Sequence, residues 1–289
     1  MMRAKTKGIL LFLLQCLTMS VTFAVVRFAI KDINIFTMTF IQGCFALLLL
    51  MPFVLRAGFA TLKTKRFKLH LVRSIFGLIG VSSFYYGVTK IPLNDATAVS
   101  FTAPLFTTLA AMVMLKEKVK AYRLVGMAIS FAGALIVLRP SGEFNFNMLY
   151  IVLSVFLMGF VQIFIAQLNK SEPPLRIIFY MVFLSILLVT PAAAYKWVTP
   201  HWENLAWIFL LCLIVYLTLI GQVLAYRNAE VSFLMPFDFS RLIFTAVVAW
   251  FVFGEKLSLV TVLGSVVILA GIVYVLHHER KSHRQIPEL

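Results

Sequence analysis

The sequence predicts an all-α membrane protein of ten transmembrane helices, arranged as two inverted five-helix repeats with both termini cytoplasmic. Three observations carry that expectation: a composition too apolar for water, apolar runs of bilayer length along the whole chain, and a self-similarity at a shift of 138 residues. Of the 289 residues, 62% are hydrophobic and 13% are charged, against about 45–50% and 25% in a soluble domain. The net charge of +15 would suggest nucleic acid in a soluble protein. Here the basic residues cluster in short connections between apolar runs, and no basic face with stacking aromatics can be assembled, so no nucleic-acid partner is expected. Cys16, Cys44 and Cys212 lie inside apolar runs without metal-ligand spacing, which argues against a disulfide framework or a metal site.

The chain starts with MMRAKTKGILLFLLQCLTMSVTFAVV, a basic start followed by an apolar run of about 20 residues. That is longer than the roughly 7–15 residues of a signal-peptide core, and no clear small-x-small cleavage site follows. A retained first helix is expected. The apolar runs predict spans at 8–28, 35–55, 71–89, 95–115, 121–138, 148–168, 176–195, 205–225, 231–253 and 259–277, each near the about 20 residues that cross a bilayer. They are continuous rather than alternating, which favours helices over strands. Charges and breakers bound them, among them Lys116-Glu117-Lys118, Arg139-Pro140, and Lys170 with Pro173-Pro174.

Orientation follows from Lys and Arg in the connections, which favour the cytoplasmic side. With the N-terminus inside, nineteen basic residues fall inside and six outside; Arg241 remains within a span. Both termini are therefore expected in the cytoplasm, with residues 278–289 as a cytoplasmic tail, and the expected location is a bacterial inner membrane. The excess positive charge is mainly a topology signal.

Asp95–Leu138 aligns without a gap on Phe233–Leu276. Phe101 matches Phe239, Thr107 matches Thr245, Gly126 matches Gly264, and Ala132-Gly133 matches Ala270-Gly271. The chain's two Glu-Lys dipeptides, Glu117-Lys118 and Glu255-Lys256, also fall in register. The shift maps spans one to five onto six to ten, predicting repeats over 8–138 and 148–277. Five is odd, so the second copy enters from the opposite side, a plan that many transporters use with the substrate site at the repeat interface.

The segments VSFTAPLFTTLAAMVMLKEKV and PFDFSRLIFTAVVAWFVFGEKL resemble the fourth and ninth helices of the EamA family in the drug/metabolite transporter superfamily. Pro104 followed thirteen residues later by Glu117 fits the family pattern, whereas Leu242 stands where the second copy would carry its proline. The resemblance implies a ten-helix transporter with a central cavity lined mainly by helices three, four, eight and nine, with contributions from one and six. The Pro-Phe-Asp…Arg-Leu pattern resembles members that take up or exchange larger metabolites such as S-adenosylmethionine or riboflavin. Amino-acid exporters are the other large group.

Asp238 and Arg241 are the leading candidate site residues. They lie one turn apart within the ninth span, and a spacing of three places them on one face. Charges at that depth are costly, by about 2.5–3.5 kcal/mol each on insertion scales, and usually serve function. Asp238 would meet a cationic group and Arg241 a carboxylate, the two ends of a zwitterion. Asp238 is also the candidate to carry a coupling proton. The competing reading is an ion pair that neutralises itself and fixes the helix against a neighbour.

Under the 138-residue shift the pair falls on Ser100 and Ala103, so Ser100 and Thr102 form a milder polar wall opposite. Pro104 and Pro236 each remove a backbone hydrogen bond within a span, which marks helix breaks. Gln162 and Gln222 are candidate cavity-lining amides, with interhelical hydrogen bonding as the plainer reading. Tyr85 and Tyr86 either stack on a substrate or belong to the interfacial aromatic belt. Glu117 and Glu255 are read as boundary residues pairing with nearby Lys.

The histidines lie at span ends or in loops, and no HExxH, Walker A or GxGxxG context occurs, so neither enzyme chemistry nor a cofactor is expected. The function expected is secondary transport of a polar or zwitterionic organic metabolite by alternating access. A coupling proton or an exchanged metabolite would complete the cycle. The rivals are an amino-acid or drug exporter of the same fold, and a membrane-embedded lipid enzyme.

Overall fold

In lipid every backbone N–H and C=O must be satisfied within its own segment, so long apolar runs become helices. The computed structural model describes residues 2–29, 33–91, 93–140, 145–254 and 258–284. Twelve α-helices occur among them: α1 (Met2–Ala29), α2 (Ile35–Ala57), α3 (Phe67–Val88), α4 (Leu93–Ser100), α5 (Ala103–Ala110) and α6 (Ala121–Leu138), then α7 (Met148–Asn169), α8 (Pro174–Tyr195), α9 (Trp202–Asn228), α10 (Val231–Asp238), α11 (Ser240–Phe253) and α12 (Leu259–Arg284). A π-helical turn over Ala111–Leu115 extends α5. No strand occurs among the described residues.

Among the described residues, ten segments are long and apolar enough to cross a membrane. Eight are formed by single helices. The fourth, Asp95–Leu115, joins α4, α5 and the π-helical turn, and the ninth, Val231–Phe253, joins α10 and α11. Large apolar side chains such as Val113 (78% exposed), Leu109, Phe251 and Val273 point outward. An apolar lateral surface of that kind belongs in lipid, so the chain is a multi-pass membrane protein. The helix of the tenth span continues past residue 277 to Arg284.

The chain forms two compact units, Met1–Ile79 with Phe164–Asn228, and Gly80–Ile163 with Ala229–Leu289. In the first unit α1 packs along α9, and α2 packs on α8 and α9. Gly221 lets the α9 backbone approach α1: a methyl group there would stand 3.0 Å from the Leu11 carbonyl oxygen. The Thr218 hydroxyl donates to Thr18 Oγ1 at 2.8 Å, and Phe12 packs on Tyr226. Asn34 caps α2, its Oδ1 accepting from the N–H groups of Phe36 and Thr37 at 3.0 Å each, a use of Asn before an apolar helix that satisfies two orphan donors.

In the second unit α6 crosses α12, and α10 packs on α5, α6 and α12. The small residues seen in the sequence make the α6–α12 crossing close. A methyl on Gly133 would lie 2.8 Å from the Gly264 carbonyl oxygen, and one on Gly264 would lie 2.8 Å from that of Gly133. Gly126 and Gly271 meet likewise, at 2.9 and 2.6 Å. The pairs are reciprocal under the 138-residue shift, and Ser130 donates to the carbonyl of its own counterpart, Ile268, at 3.2 Å.

At Gly271 the nearest obstruction is the Ser130 hydroxyl, and beside it stand two backbone atoms that cannot rotate away, Gly126 O at 2.6 Å and Ser130 N at 2.9 Å. Gly271→Ala should therefore destabilise the protein by about 1–3 kcal/mol, the usual range for overpacking. Thermal unfolding in detergent checks this, and an unchanged midpoint would show that the crossing tolerates a wider separation.

Candidate functional site

The fourth and ninth spans are interrupted at corresponding positions. Pro104 has no N–H to donate and sits in the first turn of α5, a position where that absence is tolerated. α4 stops at Ser100, and the chain passes through Phe101 and Thr102 before α5 begins. The turn tightens to three-residue hydrogen bonds, Thr102 N–H to Val99 O and Leu105 N–H to Thr102 O, both at 3.0 Å. In the ninth span α10 ends at Asp238 and α11 begins at Ser240, with Phe239 between them. Leu242 N–H reaches Phe239 O at 3.1 Å. Pro236 lies inside α10 rather than at this break, so the second interruption arises without a proline at its own position.

The two breaks meet through their aromatic residues. Phe101 and Phe239, equivalent under the 138-residue shift, stack with ring centroids 6.0 Å apart at 24°. Phe131 of α6 packs on Phe239 at 6.2 Å. The Arg241 guanidinium lies 5.0 Å from the Phe101 ring centroid, a cation–π distance. Its Nη2 is 3.4 Å from Asp238 Oδ2, with side chains 16% and 13% exposed. The pair is thus enclosed without being sealed. Phe101 and Phe239 are fully packed, so they brace Arg241 rather than offer a free face.

Helix electrostatics do not explain why these charges stand here. Asp238 is the last residue of α10 and Arg241 the second of α11. A carboxylate at a helix C-terminus and a guanidinium at an N-terminus each oppose the peptide dipole, by about 0.3–1 kcal/mol.

Ser100 and Thr102 flank Phe101 at the first break, but their hydroxyls turn back on their own chain. Ser100 Oγ donates to Ala96 O at 2.8 Å and Thr102 Oγ1 to Val99 O at 2.6 Å. Their oxygens keep lone pairs for a donor. Pro104 is buried. Gln162 is half-buried on α7 in the second unit, and Gln222 is half-buried on α9 in the first. Tyr86 is exposed, stacks edge-on against Tyr150 at 4.6 Å and carries Lys90 over its ring at 5.8 Å, the arrangement of an interfacial aromatic. The Tyr85 side chain, and Glu255 and Lys256, lie outside the described residues. Among the described residues no three His, Cys, Asp or Glu gather as a metal site would require.

Glu117 does something other than pair with a neighbouring Lys. Its two oxygens accept the N–H groups of Val231 and Ser232 at 3.1 and 2.9 Å. These open α10, so a carboxylate from after the fourth span caps the ninth, where orphan donors and the dipole favour negative charge. Beside it Arg123, 3% exposed, bridges Glu230 at 2.6 Å and Glu279 at 3.2 Å. It also donates to Ser232 Oγ at 3.3 Å and covers the Phe233 ring at 5.2 Å, while Tyr122 donates to Glu279. This cluster holds the start of the helix that ends in Asp238. Sequence reasoning missed it; the register match of Glu117 was the available signal, but the partners are backbone groups more than a hundred residues away.

Ten apolar spans, two matched helix breaks and an intramembrane ion pair define a polytopic membrane protein with a polar site at its helix breaks. The chain belongs to the EamA-like transporter family, whose model matches residues 6–139 and again 145–277; it is a transporter rather than an enzyme. It is 30% identical over 276 residues to the S-adenosylmethionine uptake transporter of Rickettsia bellii, covering 95% of each chain. It is 29% identical over 256 residues to the riboflavin transporter of Brucella anthropi, covering 85% of this chain and 89% of that one. A solved crystal structure superposes with a TM-score of 0.83 over 96% of this chain and 98% of that chain, at 14% identity, which shows the shared fold.

Proposed function

We propose that this protein moves a zwitterionic organic metabolite of the S-adenosylmethionine type across the bacterial inner membrane by alternating access. Asp238 takes the cationic end of the substrate and Arg241 its carboxylate. The observation that carries this reading is the placement of both charges at the interrupted ninth span, against the helix dipoles, enclosed yet reachable. Ser100, Thr102 and Gln162 supply further polar lining.

The scaffold is two inverted five-helix copies, residues 8–138 and 148–277, with both termini cytoplasmic. Two matches to one family model, breaks in register and the reciprocal glycine crossing support the duplication. The distribution of basic residues supports the orientation. Riboflavin carries no paired opposite charges at neutral pH, so it fits this site less well than a zwitterion does. Amino acids share the zwitterionic head and form the second substrate class.

Uptake of labelled S-adenosylmethionine, riboflavin and a panel of amino acids into proteoliposomes tests the proposal. Saturable movement of S-adenosylmethionine, competed by its zwitterionic analogues, is the expected result. Movement of riboflavin alone would contradict the substrate class, and no movement across the panel would contradict the transport reading.

A further inference from the structure

A second group of buried ionisable side chains lies in the first unit, outside the site described above. His70 of α3 is 0% exposed and its Nε2 is 2.7 Å from Oε2 of Glu172, itself 2% exposed. Glu172 sits in the 170–173 connection that leads into α8. Its Oε1 accepts from the Thr64 hydroxyl in the connection before α3, and Arg176 Nη1 approaches it at 3.9 Å. Arg176 Nε donates to Thr61 O at 2.5 Å and Tyr180 OH to Leu62 O at 3.0 Å. Tyr180 also packs on the imidazole, ring centroids 4.6 Å apart.

Glu172 accepts the Thr64 hydroxyl at Oε1, and reading its Oε2 as the acceptor of the His70 contact assigns the imidazole proton to Nε2. Nδ1 is then a bare lone pair, and it is buried without a hydrogen-bond partner. A buried polar atom with no partner is uncommon and asks for an explanation. One proton fits there without breaking any existing hydrogen bond, and the product is an imidazolium already paired with Glu172. Burial opposes a positive charge on the ring most strongly, Glu172 favours it, and Arg73 and Arg176 oppose it. Arg73 is itself buried, with Nε unpartnered and Nη2 bonded to Ser74 Oγ.

Under the 138-residue shift His70 corresponds to Ile208 and Glu172 to Asn34. The equivalent place therefore holds no titratable pair: Asn34 caps α2 and its Nδ2 donates to the Lys196 carbonyl.

We propose that the His70–Glu172 pair is a proton-binding site of the transporter, loaded at His70 Nδ1 from water when the surrounding connections open. The added positive charge strengthens the tie to Glu172, which links the segment before α3 to the segment before α8, so proton occupancy changes the ease with which those segments part. This rests on the transport reading above and assigns the coupling proton to His70 rather than to Asp238.

The test compares wild type with His70→Gln, whose amide N–H can still reach Glu172 but takes no proton. Initial uptake rates of labelled S-adenosylmethionine are measured from about pH 5.5 to about pH 8, the range in which imidazoles titrate. Wild type should change by about threefold or more across it, and the variant should be flat, since one group changing charge produces such a profile. A variant that keeps the wild-type profile overturns the proposal. If His70→Gln does not fold, Glu172→Gln carries the comparison: loss of the counter-charge should move the profile to lower pH, and an unmoved profile overturns the proposal.

Imidazole NMR shifts of the folded protein over the same pH range give a readout that needs no transport. A histidine signal that is lost in His70→Gln and titrates in wild type is the expected result, and a His70 signal that stays neutral throughout overturns the proposal. Absence of uptake by wild type together with a titrating His70 would instead count against the transport reading alone.

Discussion

Arg123→Met should lower stability by about 3 kcal/mol or more, the usual loss when one partner of a buried ion pair is removed. The magnitude rests on what is left behind. Glu279, at 7% side-chain exposure, loses its fork of guanidinium donors at 3.2–3.3 Å, while the hydrogen bond from Tyr122 remains. Glu230 is nearly half exposed and recovers water, so most of the loss comes from Glu279. Arg123→Lys should fall between the two, because an ammonium retains the charge but not the fork that reaches Glu230, Glu279 and Ser232 together. Thermal unfolding in detergent at fixed pH measures both. A methionine variant as stable as wild type would mean that the cluster is solvated and does not hold the start of α10.

Arg241→Gln and Asp238→Asn should each reduce initial uptake by at least about tenfold, while the folded protein remains monodisperse. Tenfold corresponds to about 1.4 kcal/mol, and truncating one member of a charge pair that meets an opposite charge on a ligand usually exceeds that. The stability effect should be much smaller. The pair is partly open to water, its 3.4 Å separation is long for a hydrogen-bonded ion pair, and both charges oppose their helix dipoles. Arg241 does rest on Phe101, so Arg241→Gln should lose somewhat more stability than Asp238→Asn. Equal uptake by wild type and Asp238→Asn would remove Asp238 from the site.

The spans, the break beside Pro104 and the charged pair within the ninth span were legible in the sequence, because each has a local signature. A bilayer fixes the length of an apolar run, Pro104 withdraws a donor, and two charges inside a span stand out against apolar neighbours. The match of Gly126 and Gly133 with Gly264 and Gly271 was visible in the sequence, but that Gly126 meets Gly271 and Gly133 meets Gly264 at the α6–α12 crossing depends on how those helices pack. Phe101 and Phe239 were visible as a match, but that they stack on each other depends on how α4 and α10 approach.

What stayed hidden were charges at span ends. Glu117, Arg123, Glu172 and His70 sit where solvated boundary residues are ordinary, and only folding shows that their partners come from distant segments. The break in the ninth span was also displaced from expectation. Pro236 suggested it, but α10 continues through that residue and stops at Asp238, which places the ion pair across the interruption itself.

The double substitution Asp238→Leu/Arg241→Leu gives the most direct measurement, read as uptake of labelled S-adenosylmethionine into proteoliposomes by protein shown to be folded. Two leucines remove the charges together and leave no unpaired ion in the span, so they spare a purely structural pair. A folded protein that no longer moves the substrate is the result predicted here. A folded double variant that transports like wild type would contradict the assignment of Asp238 and Arg241 as the substrate site.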